Sequence, residues 1–107
     1  MPQNPIPTTA APGIPQNVKS VLNVTSSTLV KAAPATVLQV QVISAGTTNG
    51  GLYDATTVSG AAAANQFAVI NGGTAVTPGV VTGLTWTTTS GLVAEVGSGQ
   101  VIAINYV

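Results

Sequence analysis

The sequence contains no cysteine, no histidine and no arginine, and it carries almost no charge. Only four side chains in 107 residues are ionised at neutral pH, two Lys and two acidic residues, and their charges sum to zero. A typical soluble domain has about a quarter of its residues charged. Few side chains therefore remain for acid–base, metal or phosphate chemistry, and we expect a protein that is not an enzyme and uses no metal or cofactor.

The same scarcity of charge excludes two classes of partner. Affinity for nucleic acid requires several Lys or Arg that neutralise phosphates, and attraction to anionic membranes adds only about 1 kcal/mol per cation. No apolar run approaches the roughly 20 residues of a membrane helix, and the N-terminus lacks the cationic and apolar regions of a signal peptide. We expect neither a nucleic-acid nor a membrane partner, and a protein made in the cytoplasm of its host cell.

The two carboxylates, Asp54 and Glu95, could in principle form the acid and base pair of a glycoside hydrolase. Such a site normally includes residues that hold the sugar, and this chain has one Trp, two Tyr and no Arg for that purpose. We therefore interpret Asp54 and Glu95 as solvated charges near strand ends.

The abundant residues favour β-structure. The chain has 16 Val, 16 Thr and 6 Ile, and β-branched side chains suit the pleated surface of a sheet. With 12 Gly and 7 Pro as turn residues and 45% apolar residues, the composition predicts an all-β domain that can build a core.

Proline divides the chain into two parts. Five of the seven prolines lie in the first fifteen residues, where their fixed φ and missing N–H oppose both a helix and a central strand. We predict an extended Pro-rich arm over residues 1–17 and a single β-sandwich domain over 18–107. Two alternatives stay open for the arm: a disordered terminus, or a segment that a neighbouring subunit orders. In the second case its candidate contact residues are Pro2, Pro5, Ile6, Pro7, Pro12, Ile14 and Pro15.

About eight short strands recur after the arm, with turn residues between them, which is typical of a two-sheet sandwich of jelly-roll or similar type. A segment over 61–66 has helix propensity but is only about one turn long. The predicted strands are 18–24, 27–33, 36–44, 52–58, 67–71, 83–89, 92–96 and 100–107.

Two of these strands also indicate which side chains are buried. In 36–44, Leu38, Val40 and Val42 alternate with mostly polar residues, which predicts that these three side chains form a core row. The final strand, 100–107, is largely apolar in both of its rows, so we expect it to be covered on both sides.

The four aromatic side chains are candidate core or interface residues. Trp86 lies in a threonine-rich run, and a core or interface position is the expectation because Trp is the largest apolar unit available to a small core. The alternative is an exposed Trp86 that stacks on a sugar beside the threonines. Tyr53, Phe67 and Tyr106 are interpreted in the same way as core or interface aromatics.

The scarcity of charge also bears on assembly. A free monomer with so few charges lacks the repulsion that keeps proteins apart, and its strand edges lack the charged residues that discourage strand addition. We therefore expect most of this surface to be covered, by copies of the chain in a homodimer or homotrimer, or by a larger assembly.

Several segments resemble a known group of proteins. The opening Leu29–Pro34, the middle segments Leu52–Ala55 and Ala61–Gln66, and the ending Ser90–Val93 through Gly97–Val101 are similar in overall pattern to small head decoration, or cement, proteins of tailed bacteriophages. The resemblance covers residues 24–107 and leaves out the arm.

The resemblance implies a non-enzymatic protein on the exterior of the virion. Such a protein would bind the major capsid protein on the outside of the head and stabilise contacts between capsid subunits, as a β-sandwich dimer or trimer. Two alternatives stay open: a carbohydrate-binding or adhesive module of a fibre or spike, and a small tail component.

Overall fold

The described residues form eight antiparallel strands in two four-stranded sheets, which confirms the predicted all-β sandwich. The structure is a computed structural model that describes residues 17–72 and 81–107. Two short 3₁₀ turns, Val58–Gly60 and Ala63–Asn65, complete the described secondary structure. The strands are β1 (Lys19–Val24), β2 (Thr28–Lys31), β3 (Thr36–Ser44), β4 (Gly50–Tyr53), β5 (Gln66–Ile70), β6 (Val81–Thr87), β7 (Leu92–Glu95) and β8 (Val101–Tyr106).

The order of the strands is that of a jelly roll. Sheet A has the order β1-β8-β3-β6 and sheet B has the order β2-β7-β4-β5. The first four strands pair in reverse with the last four, so β1 pairs with β8, β2 with β7, β3 with β6 and β4 with β5. This connectivity is that of a long antiparallel hairpin rolled into two facing sheets.

The core fills the space between the two sheets. Eleven buried apolar residues form one cluster, in which both sheets take part. Ile102 and Ile104 of the central strand β8 are fully buried and face Leu52 and Leu92 from the other sheet. Full burial of such a side chain contributes about 1.5–3 kcal/mol, so this short β-branched sequence can sustain a core.

One predicted core position is wrong. Val40 and Val42 are buried, but Leu38 is only half-buried and Val37 takes its place in the core. The pairing of β3 with both neighbours shifts between Val37 and Gln39. This bulge breaks the two-residue alternation, so the inward positions in β3 are 37, 40 and 42.

The fourth strand is shorter than predicted and starts earlier. It runs over Gly50–Tyr53 instead of 52–58. Just beyond the strand, the Asp54 N–H donates to the Asn65 carbonyl at 2.9 Å. The predicted single helical turn over 61–66 is the 3₁₀ turn Ala63–Asn65, in which the Asn65 side chain accepts from the Ala62 N–H at 2.9 Å.

The final strand differs on its two faces. Ile102 and Ile104 are buried in the core, whereas Val101 and Ala103 on the other face remain partly exposed. Within the chain itself, β8 is therefore fully covered on one side only. No helix within 17–72 or 81–107 is long and apolar enough to cross a membrane.

The end of the sandwich near Gln100 is closed by close backbone packing. Gln100 is buried, and its Oε1 accepts from the Gly97 N–H at 3.0 Å while its Nε2 donates to the Asn71 carbonyl at 2.9 Å. A Cβ on Gly97 would collide with the Thr48 carbonyl oxygen. The turns that contain Thr48, Asn71 and Gly97 thus meet around the buried amide of Gln100.

Candidate functional site

The half-exposed Trp86 is the most prominent aromatic side chain of the described surface. Trp86 is 50% exposed, so it does not lie in the core of the chain, and the predicted interface position stays a prediction. Its ring lies parallel to that of Phe67, with centroids 5.4 Å apart and an interplanar angle of 6°. Parallel rings at this separation are laterally offset, which is a favoured arrangement of aromatic pairs.

The aromatic pair joins the two sheets at one edge of the sandwich. Phe67 belongs to β5, the edge strand of sheet B, and Trp86 belongs to β6, the edge strand of sheet A. Between Leu52 and Tyr53 the pairing of β4 with β5 shifts and leaves Phe67 without a partner opposite it. Such a bulge redirects a side chain, here one that reaches Trp86 from the other sheet.

Asp54 anchors the loop beside the aromatic pair. Its Oδ2 accepts from the Thr89 N–H and hydroxyl, each at 2.9 Å, and its Oδ1 accepts from the N–H groups of Ser90 at 2.9 Å and Gly91 at 3.2 Å. These bonds, above all that from the Thr89 N–H, hold the pKa of Asp54 at about 2, against an ordinary 3.8. Asp54 is therefore a structural anchor and more than the solvated charge that we expected.

An open groove of about 410 Å³ lies between the aromatic pair and this loop. We call it the Trp86 groove. Its volume falls within the range of roughly 300–1,000 Å³ that is typical of ligand clefts. The groove is lined by Asp54, Ala64, Asn65, Gln66, Phe67, Trp86, Thr89 and Ser90.

Glu95 is not among the lining residues of the Trp86 groove. It lies in β7, near Tyr53. The groove therefore does not combine the two carboxylates that a glycosidase pair would require.

The threonine run around Trp86 is largely engaged within the protein. Thr88 is buried and bonded to Ala35, whose N–H donates to the Thr88 hydroxyl at 3.0 Å. The hydroxyls of Thr87 and Thr36 share a hydrogen bond of 3.1 Å, and the Thr89 hydroxyl donates to Asp54. Thr85, Thr87 and Thr89 are nevertheless exposed beside Trp86.

Neither tyrosine is among the lining residues of the Trp86 groove. Tyr106 at the end of β8 packs partly buried against the core, opposite Lys19 and Val37. Tyr53 at the end of β4 is partly buried, and burial together with the nearby Glu95 carboxylate raises its pKa. The candidate aromatics thus occupy three separate places, and the arm residues predicted as contacts lie outside the described residues.

The outer face of sheet A is a second candidate site. Because Val40, Ile102 and Ile104 point into the core, the alternating residues of the same strands point outward. We call this surface the sheet A face. It comprises Ser20, Leu22, Gln39, Gln41, Ile43, Val101, Ala103 and Asn105.

The polar side chains of the sheet A face bond to one another. Ser20, Asn105 and Gln39 lie opposite each other on β1, β8 and β3. The Ser20 hydroxyl donates to Asn105 Oδ1 at 2.8 Å, and Asn105 Nδ2 donates to Gln39 Oε1 at 3.4 Å. Beside this row, the apolar Leu22 and Ile43 are 71% and 48% exposed.

None of the four charged residues belongs to the sheet A face. Lys31 and Glu95 lie in sheet B, and Asp54 follows β4 of the same sheet. Lys19 precedes Ser20 in β1 and alternates to the opposite side of the sheet. The face is therefore partly apolar and uncharged.

Within residues 17–72 and 81–107 there is no group of three or more acidic side chains that could hold a metal ion. Comparisons of the chain with protein-family models, with curated proteins and with solved structures give no match.

Proposed function

We propose that this chain is a non-enzymatic structural protein that binds the outer surface of a phage capsid and stabilises contacts between major capsid subunits. In this proposal the sheet A face lies against the capsid. The protein acts on the exterior of the virion and is assembled there in the host cytoplasm. The proposal starts from the resemblance of residues 24–107 to head decoration proteins and is supported by the properties of this face.

The uncharged sheet A face is the observation that carries the proposal. Covering a charged or unbonded polar group costs free energy. Here the polar row formed by Ser20, Asn105 and Gln39 already has bonds within the protein, and the flanking Leu22 and Ile43 gain from being covered. A partner can therefore cover this row and its apolar flanks at a small desolvation cost.

The fold is compatible with this role. Jelly rolls are common in viral capsid proteins, and they are also found in lectins. Since one fold serves many functions, the fold supports the role by analogy only. The argument that is specific to this chain comes from the sheet A face.

Self-association is part of the proposal. The edge strands β5 and β6 contain no ionisable residue, and Val69 of β5 is 58% exposed. Uncharged edges favour pairing between chains, so we propose that the protein is a homodimer or homotrimer on the capsid. Light scattering after gel filtration tests this, and a monomer at micromolar concentration would contradict it.

Co-sedimentation with capsids of the major capsid protein from the same phage tests the attachment. We expect Ile43→Lys to weaken binding tenfold or more, which corresponds to about 1.4 kcal/mol, because a cation would be covered on the sheet A face. Val58→Lys is the matched control, because it adds the same charge at an exposed apolar site outside the sheet A face and outside the edge strands. Equal binding by both variants, or no binding by the unaltered chain, would overturn the proposal.

A further inference from the structure

The Trp86 groove combines an exposed aromatic surface with polar groups at its rim. Half of the Trp86 side chain is exposed although Phe67 stacks against it. Leaving so large an apolar side chain uncovered forgoes burial free energy, and exposed aromatic surface in a concave site is typical of ligand binding. Because the two rings are parallel and offset, they form a stepped aromatic platform inside the groove.

The polar rim of the groove is held in place by hydrogen bonds. Asn65 Nδ2 donates to the Gly60 carbonyl at 2.8 Å, and Asn65 Oδ1 accepts from Ala62. Gln66 Nε2 donates to the Ala68 carbonyl at 3.2 Å. Each amide has two N–H donors and two acceptor sites, so both side chains keep bonding capacity while their positions are fixed. The Ser90 hydroxyl at the opposite rim is exposed.

The charge of the groove selects against ionised ligands. Asp54 is the only ionisable residue in the lining, and its two carboxylate oxygens accept four hydrogen bonds from the 89–91 loop. Neither Lys19 nor Lys31 lines the groove, so nothing there would bind a phosphate or sulfate by charge. The ligand that fits is uncharged, has an apolar face for the aromatic platform and has several hydroxyl or amide groups.

We propose that the Trp86 groove binds a neutral sugar ring, of the hexose or N-acetylhexosamine class. The C–H face of the ring lies on Trp86, and its hydroxyl or acetamido groups bond to Asn65, Gln66 and Ser90. This binding site is separate from the sheet A face, so a chain attached to a capsid would still present it. The inference does not depend on the proposed attachment.

The single Trp of the chain gives a direct readout. All Trp fluorescence comes from Trp86, which lies in the groove. We expect saturable fluorescence changes and protection from acrylamide quenching when the full chain is titrated with at least one of three neutral hexasaccharides: the β-1,4-glucose, α-1,4-glucose and β-1,4-N-acetylglucosamine oligomers. No saturable change up to about 10 mM with any of the three, or stronger binding of uncharged adenosine, would overturn the inference.

Two adjacent alanines provide a matched pair of variants. Ala64 lines the groove, whereas its neighbour Ala63 is exposed and does not. We expect Ala64→Leu to weaken sugar binding at least tenfold, because the added bulk occupies the groove, and Ala63→Leu to bind like the unaltered chain. Both variants keep Trp86 and its stack, so the readout does not depend on a variant that fails to fold. Equal affinity of the two variants would contradict binding in this groove.

Capsid co-sedimentation distinguishes this inference from the proposed function. Ala64→Leu should sediment with capsids as well as the unaltered chain does, and Ile43→Lys should bind the sugar normally. If Ala64→Leu instead lost capsid attachment and no sugar bound, the groove would be part of the capsid contact, and the sugar inference would be wrong.

Discussion

Thr89 donates both its backbone N–H and its hydroxyl to the same oxygen of Asp54, each at 2.9 Å. Asp54 follows β4 of sheet B, whereas Thr89 follows β6 of sheet A. The two residues are 35 positions apart. One carboxylate therefore ties together the sheets at the end of the sandwich where the Trp86 groove lies.

Replacing this carboxylate should destabilise the protein. Asp54→Asn turns one acceptor oxygen into a donor that faces the N–H groups of the 89–91 loop. We expect a loss of about 2 kcal/mol in the free energy of unfolding, measured by urea denaturation. Thr89→Val removes only the hydroxyl bond and should cost about 1 kcal/mol. Glu95→Gln changes the net charge equally, and an equal loss in this control would contradict the assigned role of Asp54.

The stability of the protein should be flat between mildly acidic and mildly alkaline pH. The chain has no histidine or cysteine. The pKa of Asp54 is lowered to about 2 in the folded chain, against an ordinary 3.8. The contribution of Asp54 to the free energy of unfolding is therefore present above pH 3.8 and is lost as the pH falls through about 2.

At alkaline pH the stability is lost through a group whose pKa is raised in the folded chain. Burial and the Glu95 carboxylate raise the pKa of Tyr53 above its ordinary 10.0. The contribution of Tyr53 to the free energy of unfolding is fully present below pH 10.0 and is lost as the pH rises through the raised pKa. Unfolding free energies measured across pH should lose the acid decline in Asp54→Asn and the alkaline decline in Tyr53→Phe. If the acid decline persisted in Asp54→Asn and the alkaline decline persisted in Tyr53→Phe, these assignments would be wrong.

The buried amide of Gln100 should be essential for stability. Gln100→Leu keeps the volume but leaves the Gly97 N–H and the Asn71 carbonyl without their partner. Orphaned buried groups cost about 1–3 kcal/mol each, so we expect a loss of about 2–4 kcal/mol by thermal or urea unfolding. Gln41→Leu, on the exposed side of β3, is the control. A small loss in Gln100→Leu would show that the turns close without this amide.

Removing residues 1–15 should separate folding from attachment. The buried cluster of the described residues runs from Val24 to Ile104, so we expect the unfolding free energy to change by about 0.5 kcal/mol or less. Capsid binding by the truncated chain should be weaker, because the Pro-rich arm is expected to lie across a neighbouring subunit. Binding as tight as that of the full chain would exclude the arm from the attachment.

The strands were largely predictable because their signals are local. Alternating apolar residues and Gly-rich turns placed eight strands, and the count and the sandwich are confirmed. The errors lie where tertiary contacts override the alternation. The bulge in β3 moves Leu38 outward, and β4 ends at Tyr53, next to Asp54, whose carboxylate bonds to the 89–91 loop.

The groove was less predictable because its parts are distant in the sequence. Asp54 binds a loop 35 to 37 positions away, and Phe67 reaches Trp86 only because the two edge strands lie side by side. No local pattern indicates that Gln100 is buried, since its partner Asn71 is 29 positions away. Of the groove, only an exposed Trp86 that stacks on a sugar was stated beforehand, as the less favoured of two alternatives.

An electron cryomicroscopy map of capsids saturated with this protein tests the central claim most directly. Our account predicts density for a jelly-roll domain on the outside of the shell, with the sheet A face, including Leu22 and Ile43, against the major capsid protein. The Trp86 groove should remain accessible to solvent. A map in which the sheet A face points away from the shell, or in which the saturated capsids carry no added density, would contradict the account.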